Sequence, residues 1–249
     1  RLANSAFGVI GEAANSVGGY LAGAVPYGLI EGKNAAQMLS TPLKAYILAG
    51  VEPDLDIADG VSAVKSLRQA EMVAALTVFK SQSLLDLADV LLPIAPFTET
   101  AGVFVNCEGR AQAFHPVTKS AGESRAGWKV LRVIGSALEL DGFDFGTIED
   151  VRNKVLGNSV AVDSLKLGNL LAIERFTLPG AVSGIQRIAD IPIYSADPIV
   201  RRSGPLQATR DADAPSARMS SSLISKIGLT PGEKVRIKSE TGEVTVVLI

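Results

Sequence analysis

Apolar runs and segments of helical spacing alternate along the first part of the chain. Residues 44–49, 72–79 and 89–94 are short, continuous apolar runs that end at glycine, proline or a polar cluster, as buried strands do. Residues 59–69 and 83–88 separate these runs and have helical spacing, as do residues 34–39 before them. This order predicts right-handed crossovers and a parallel sheet, so we expect an α/β fold.

The segments that follow the three predicted strands should meet at one edge of the sheet. Open α/β sheets bind ligands at the carboxyl ends of their strands. Residues 50–54, 80–83 and 96–102 are therefore expected to form a common rim. We predict a loop with a short extended piece for residues 97–112.

Two further predicted helices follow, and after them the composition of the chain changes. Helical spacing covers residues 126–140 and 147–156, and Thr147 is a suitable N-cap with Glu149 and Asp150 in the first turn. Residues 157–190 have no regular pattern, and residues 191–217 are rich in Pro, Ser, Asp and Arg. A short helix at 220–227 and a hairpin of strands 234–238 and 244–249 predict the beginning of a β domain.

These patterns divide the chain into three parts. We predict an α/β domain at 1–156, a connecting region at 157–190 and a partial β domain at 191–249. The chain begins with Arg1 and ends in an apolar run, so both ends are expected to be cuts through a longer polypeptide. Residues 244–249 are then expected to leave an unpaired apolar edge.

Composition and charge exclude several classes of function. Hydrophobic residues make up 47% of the 249 residues and charged residues 20%, which is enough to build a sizeable core. The mean hydropathy of +0.27 is high, yet no stretch approaches the roughly 18 apolar residues of a spanning helix. A net charge of −2 gives no reason to expect nucleic acid or an anionic membrane as a ligand. A single cysteine excludes an internal disulfide and favours an intracellular compartment.

The residues that could carry chemistry are few. Cys107 and His115 are the only cysteine and histidine, and they lack the spacing of a metal site. We therefore expect no metal ligands and no catalytic residues in this chain. The glycines between residues 8 and 23 fit neither phosphate-binding motif, and close packing of helix on sheet explains them better.

The strongest local signal lies between residues 99 and 112. Polar residues and glycines crowd this segment: Glu99, Gly102, Asn106, Glu108, Gly109, Arg110 and Gln112. Such a loop could present backbone N–H groups and Arg110 to a phosphate or to a neighbouring carboxylate. Alternatively the loop is internally paired, with Arg110 bonded to Glu99 or Glu108 and Asn106 in a left-handed turn. The residues favour the second, structural interpretation.

That segment and the strand before it resemble the molybdopterin oxidoreductase family. The family's pattern L-A-D-V-V-L-P, then E, then G-T-F-x-N-x-E-G-R-x-Q is in register with Ala88, Asp89 and Pro93 and with the segment from Glu99 to Gln112. The resemblance implies Rossmann-like parallel layers and a C-terminal domain that starts like a double-psi β-barrel. Some cofactor-binding relatives have T-E-T where this chain has Ser81, Gln82 and Ser83, which implies an altered polar surface.

Three other segments are similar to one branch of that family, the G subunits of bacterial NADH-quinone oxidoreductases (respiratory complex I). They are residues 15–26, 44–53 and 122–132. The similarity implies a scaffold part of the peripheral electron-transfer arm, partnered by the other subunits of that arm at the cytoplasmic face of the inner membrane. It implies iron–sulfur clusters outside this segment, no redox centre within it and no molybdopterin. The alternative is part of a molybdopterin guanine dinucleotide enzyme such as a formate dehydrogenase or nitrate reductase.

Overall fold

The computed structural model describes residues 11, 13–25, 32–157, 180, 184–188, 192–212, 214–239 and 242–249. The chain divides into two compact units. The first unit contains Arg1–Glu52 and Lys65–Leu178, and the second contains Pro53–Val64 and Pro179–Ile249. Most of the predicted connecting region lies outside the described residues, so its role and the predicted domain boundaries stay predictions.

Up to residue 157 the elements alternate much as the sequence predicts. In chain order they are α1 (Ser16–Leu21), α2 (Ala35–Ser40), β1 (Ala45–Ala49), α3 (Pro53–Asp56), α4 (Gly60–Leu67), β2 (Met72–Thr77), α5 (Gln82–Leu87), β3 (Val90–Pro93), a 3-10 turn (Phe97–Glu99), β4 (Gly102–Val105), β5 (Ala111–Phe114), α6 (Gly127–Ala137) and α7 (Ile148–Leu156). The strands and helices predicted between residues 34 and 94 are all confirmed, with ends that shift by at most two residues.

A parallel sheet of β1, β2 and β3 organises the first unit, as predicted. Ile47 pairs with Ala74, and Ala74 pairs with Val90, so the three strands are in register across the sheet. The Gly50 amide donates to the Leu76 carbonyl at 2.8 Å, which extends the β1–β2 ladder to the rim. The α/β class and the parallel sheet are thus confirmed.

The two faces of this sheet differ in burial. Tyr46, Val73 and Ala75 point to one face and are 8%, 2% and 1% exposed. On the other face Ile47 and Met72 are 52% and 45% exposed. Right-handed connections between sequential parallel strands run over the same face, which explains why one face is covered and the other is partly bare.

The segment predicted as a loop at 97–112 contains more regular structure than expected. A 3-10 turn, Phe97–Glu99, leads into an antiparallel hairpin in which Gly102 pairs with Phe114 and Phe104 with Gln112. The prediction gave one short extended piece and missed the hairpin, because each strand is only four residues long and β5 mixes alanine with a polar residue. The correction places the predicted site residues on a defined scaffold.

Helix α7 begins and ends where the sequence predicts. The Thr147 hydroxyl accepts a hydrogen bond from the Asp150 amide, and the Asp150 carboxylate accepts one from the Thr147 amide at 2.8 Å. This reciprocal pair is a capping box. At the other end Gly157 adopts φ 74°, a left-handed conformation that glycine tolerates.

The second unit is built around a small three-stranded sheet. Its further elements are α8 (Ile193–Ala196), a 3-10 turn (Val200–Arg202), α9 (Gly204–Gln207), β6 (Ser216–Ala217), α10 (Ser221–Ile227), β7 (Lys234–Lys238) and β8 (Glu243–Leu248). Ala217, Val235 and Leu248 form its buried core. Arg201 donates to Asp56 at 2.8 Å within the same unit.

The edge predicted at residues 244–249 is only partly open. Strand β8 is the central strand, because β7 pairs along one side and β6 pairs in parallel with Val247 and Leu248 on the other. The prediction of a wholly unpaired edge was wrong, since the two-residue strand β6 is too short to recognise in sequence. Among the described residues these strands form an open sheet and no closed barrel.

Candidate functional site

The seven residues singled out by the sequence lie along one hairpin but do not share one cavity. Glu99 ends the 3-10 turn, Gly102 begins β4, and Gln112 is on β5. Asn106, Glu108, Gly109 and Arg110 form the connecting turn. Glu99 therefore lies at one end of the hairpin and the polar turn at the other.

Asn106 organises the turn through its side chain. Its Oδ1 atom accepts hydrogen bonds from the Glu108 amide at 3.0 Å and the Arg110 amide at 2.9 Å. Its backbone carbonyl accepts from the Gly109 amide at 2.9 Å. Gly109 is the residue with positive φ, 79°, so the expectation of a left-handed Asn106 was wrong. The N-x-E-G-R pattern is thus explained as a folded turn.

Arg110 is not paired as the structural interpretation supposed. Its side chain is exposed, and within the described residues it forms no ion pair with Glu99, Glu108 or any other carboxylate. The correction has a simple physical reason. Backbone hydrogen bonds to Asn106 already hold the turn, so the guanidinium can stay in water, where a surface ion pair would add little.

Close packing fixes the two strands of the hairpin. The Phe104 and Phe114 rings meet edge to face, with centroids 4.9 Å apart and an angle of 71° between their planes. A Cβ atom on Gly102 would lie 2.5 Å from Cζ of Phe114, so only glycine leaves room for that ring. The Val105 amide donates to Asn15 Oδ1 at 2.8 Å, which ties the hairpin to the segment that begins α1.

Glu99 is fastened to the loop that follows the hairpin. Its Oε2 atom accepts a hydrogen bond from the Ala121 amide at 2.9 Å, and its carbonyl accepts one from the Ser120 hydroxyl at 3.4 Å. The Thr98 carbonyl accepts from the Val117 amide at 2.8 Å. Glu99 thus acts structurally and also lines a neighbouring cleft.

That cleft lies beside the carboxyl end of β3 and has a volume of about 440 Å³. Arg125 reaches it because residue 125 bridges to Ile94: the Ala95 amide donates to the Arg125 carbonyl at 2.8 Å. Trp128 and Lys129, in the first turn of α6, line the same cleft. The Lys129 ammonium lies 5.4 Å from the centre of the Trp128 ring, a cation–π contact.

Sequence reasoning assigned no site role to Arg125, Trp128 or Lys129. The available signal was the clustering of Arg125, Trp128 and Lys129 around the start of a predicted helix. What the sequence could not supply was the opposite wall of the cleft. Glu99 and Thr147 come from segments far away in the chain.

The polar groups at the sheet rim are engaged within the chain. Thr77 Oγ1 donates to the Phe79 carbonyl and accepts from the Phe79 amide, and Ser81 Oγ caps α5 by accepting from the Leu84 amide. Glu52, which follows β1, is buried. Lys80 is the one cation in the rim segments 50–52, 77–81 and 94–96.

The described part of the chain contains no cluster of metal-binding side chains. Within it, no three His, Cys, Asp or Glu side chains lie together as a metal site requires. Cys107 is exposed at the hairpin turn, and His115 is exposed just after β5. No described helix has the length and apolar character needed to cross a membrane. The absence of catalytic and metal-binding residues over the whole chain stays a prediction.

Comparison with known sequences places these features in context. Residues 3–137 match the family described as Molybdopterin oxidoreductase. The G subunit of the NADH-quinone oxidoreductase of Mycobacterium bovis is 27% identical over 210 residues, which is 82% of this chain and 25% of that protein. F420-dependent formate dehydrogenase 2 subunit alpha of Methanococcus maripaludis is 23% identical and covers 81% of this chain. The chain spans about a quarter of the first relative and 35% of the second.

A solved structure has a similar fold. Acetylene hydratase from Pelobacter acetylenicus superposes with a TM-score of 0.56 at 18% sequence identity. The match covers 85% of this chain and 36% of that enzyme. At this identity the similarity concerns the arrangement of the backbone alone.

Proposed function

The chain belongs to the molybdopterin oxidoreductase family, and from this premise we propose that it is part of the G subunit of an NADH-quinone oxidoreductase. In this role it is a structural part of the peripheral electron-transfer arm at the cytoplasmic face of the inner membrane. Its partners are the other subunits of that arm. The observation that carries the proposal is the 27% identity to the mycobacterial G subunit over 82% of the chain.

The hairpin supports a structural role. Two of its polar side chains serve the fold: Asn106 holds the turn, and Glu99 holds the following loop. The aromatic pair and the Asn15 contact fix the hairpin to the rest of the first unit. A hairpin held by these contacts suits a scaffold.

The described sheet rim does not fit the pyrophosphate of a molybdopterin dinucleotide, the group that the family name implies. Such a group requires several convergent N–H donors or cations. The Thr77 hydroxyl donates to the Phe79 carbonyl, and Lys80 is the one cation of the rim segments 50–52, 77–81 and 94–96. We therefore propose that this segment holds no molybdopterin and that the redox centres lie elsewhere in the protein.

The partly bare face of the parallel sheet also supports a place in a larger assembly. Ile47, Met72 and Val90 are 52%, 45% and 38% exposed. Parallel sheets are usually covered on both faces, and exposed apolar rows of this kind mark interaction surfaces. We propose that another subunit of the arm covers this face.

A purification experiment tests the proposal. The full-length protein is tagged in its own host, isolated, and assayed for co-purifying subunits, for NADH–quinone oxidoreduction and for molybdenum. We expect the activity and the subunits to co-purify without stoichiometric molybdenum. Ile47→Lys should lower the recovered activity about tenfold, because an uncompensated charge would be buried at the contact. Val117→Lys, at an exposed valine in a loop after β5, is the matched control and should have no effect.

The formate dehydrogenase match supports one alternative, a subunit of a molybdenum enzyme. Stoichiometric molybdenum and formate oxidation by the isolated protein would establish that alternative and overturn the proposal. If Ile47→Lys left assembly intact while NADH–quinone activity co-purified, the subunit assignment would stand and the proposed contact would be wrong.

A further inference from the structure

We propose that the cleft beside β3 binds a phosphate group of a small soluble molecule. This binding site is separate from the structural role proposed above. Its volume of about 440 Å³ falls within the range of small-ligand sites, roughly 300–1,000 Å³. Arg125, Lys129 and Trp128 form one side of the cleft, and Glu99, Ser120 and Thr147 contribute to the other.

The charges lining the cleft favour an anion. Arg125 and Lys129 are two cations and Glu99 is one carboxylate, so the net charge of the lining is +1. Within the described residues neither cation forms an ion pair. The Glu99 carboxylate already accepts the Ala121 amide at 2.9 Å, so one of its oxygens is committed to the cleft wall. Because no carboxylate neutralises these two cations, their N–H groups can donate hydrogen bonds to an anion in the cleft.

The cations are held in defined positions. The Arg125 backbone is pinned to the edge of the sheet, since its carbonyl accepts from the Ala95 amide at 2.8 Å and its amide donates to the Pro93 carbonyl at 3.3 Å. The Arg125 guanidinium donates to the Ser124 carbonyl at 2.9 Å, and the Lys129 ammonium, in the first turn of α6, contacts the Trp128 ring. Each cation thus has a preferred contact and needs less ordering on binding than an unrestrained surface side chain would.

The first turn of α6 reinforces these cations. Gly127, the first residue of α6, has no side chain to cover its amide, and Ala126 before it supplies no capping side chain. The N-termini of helices carry partial positive charge and free N–H donors. Guanidinium, ammonium and backbone N–H groups together match the several oxygens of a phosphate.

The chain contains a built-in reporter for this site. Trp128 is its only tryptophan, so fluorescence excited selectively at tryptophan reports on the cleft. We would titrate the chain with inorganic phosphate and with glycerol phosphate, keeping ionic strength constant with chloride. A saturable change with either probe is expected, and tighter binding of the ester would identify a phosphorylated metabolite over the free ion as the ligand.

Variants separate a specific site from a general salt effect. Arg125→Gln and Lys129→Gln should each weaken binding by about tenfold, the effect of losing one charge-assisted hydrogen bond. Lys65→Gln removes an exposed lysine elsewhere on the first unit and should leave binding unchanged. Thermal melting with and without phosphate gives a second readout, because a bound ligand raises the melting temperature of the wild type.

Three results would overturn the proposal. One is a fluorescence response that chloride reproduces, and another is equal binding by the wild type and the doubly substituted Arg125→Gln, Lys129→Gln chain. The third is stronger binding of succinate than of phosphate, which would assign the cleft to dicarboxylates. None of these results bears on the subunit assignment, which the purification experiment tests separately.

Discussion

Asn106 holds the hairpin turn through one oxygen atom that accepts two backbone amides. Asn106→Ala should therefore lower the free energy of unfolding by about 1–2 kcal/mol, since both donors lose their partner. Asn106→Asp keeps the acceptor and should cost clearly less. Chemical denaturation of the three proteins measures the difference. Equal losses for both variants would mean that the side-chain oxygen does not hold the turn.

Arg110, four residues further on, should behave in the opposite way. Because its guanidinium is exposed and forms no ion pair among the described residues, Arg110→Ala should change stability by less than about 0.5 kcal/mol. The same denaturation series provides the test. A loss of several kcal/mol would instead support the internally paired loop that the sequence favoured.

Gly102 is constrained by the ring it faces. Gly102→Ala would place a Cβ atom 2.5 Å from Cζ of Phe114, so we expect a loss of about 1–3 kcal/mol from overpacking. Phe114→Leu should lose stability on its own, but the double variant should lose less than the two single losses added together. Thermal or chemical denaturation of this cycle gives the coupling. Strict additivity would contradict the proposed steric conflict.

Asp150 gives stability a defined dependence on pH. The Thr147 amide and hydroxyl, together with the Gly146 amide, lower the pKa of the Asp150 carboxyl below its ordinary value of 3.8. A lowered pKa means that this contribution to stability is present above the unfolded-state pKa and is lost as pH falls through the folded-state pKa. Asp150→Asn should therefore be less stable than wild type at neutral pH.

Denaturation at a series of pH values checks this expectation. The difference between wild type and Asp150→Asn should shrink as the pH falls below 3.8. Asp141→Asn, outside the capping box, is the control for removing a carboxylate of the same kind. A difference that stays constant down to acid pH would argue against the capping role.

Among the elements, helix α5 contains two adjacent leucines that test which of its faces is buried in the first unit. Leu84 is fully buried, and its neighbour Leu85 is 43% exposed. Leu84→Ala should cost about 2–5 kcal/mol, the usual cost of emptying a core leucine site. Leu85→Ala should cost well under half as much. Equal losses, measured by denaturation, would show that the helix buries both faces.

The strands show which element predictions succeed. Each strand of the parallel sheet is a continuous apolar run, so hydrophobic pattern alone identified all three. One short extended piece was predicted between residues 97 and 112, but the hairpin was missed, because pairing across it stabilises what the local sequence does not specify. Helix α7 was identified with its cap because a capping box is a local signal.

At the scale of the whole molecule, exposed apolar surface connects structure to function. Ile47 and Met72 lie on a sheet face that an isolated α/β domain would normally cover. The Ile47→Lys variant proposed above should leave the melting temperature of the isolated chain nearly unchanged, since the side chain is already half in water. Its effect should appear only in recovery of the assembled complex, and a large drop in melting temperature would place Ile47 in the core of this chain.

The α/β class, the order of the main elements and the family resemblance could all be predicted from the sequence alone. These properties depend on short-range information: the period of apolar residues, the residues that cap helices, and a motif continuous from Ala88 to Gln112. Residues 3–137 match the family that the motif indicated. The sequence could not show which polar residues of the motif stabilise the turn, because hydrogen-bond partners depend on side-chain geometry.

The positions of those residues relative to the rest of the chain depend on the tertiary structure. It separated Glu99 from the turn at Asn106, left Arg110 in solvent, and brought Arg125 and Lys129 to one cleft with Thr147. It also paired Ser216 and Ala217 with β8 across a long stretch of sequence. Contacts between distant segments depend on how the helices and strands pack together in the folded chain. A local pattern of residues does not specify that packing.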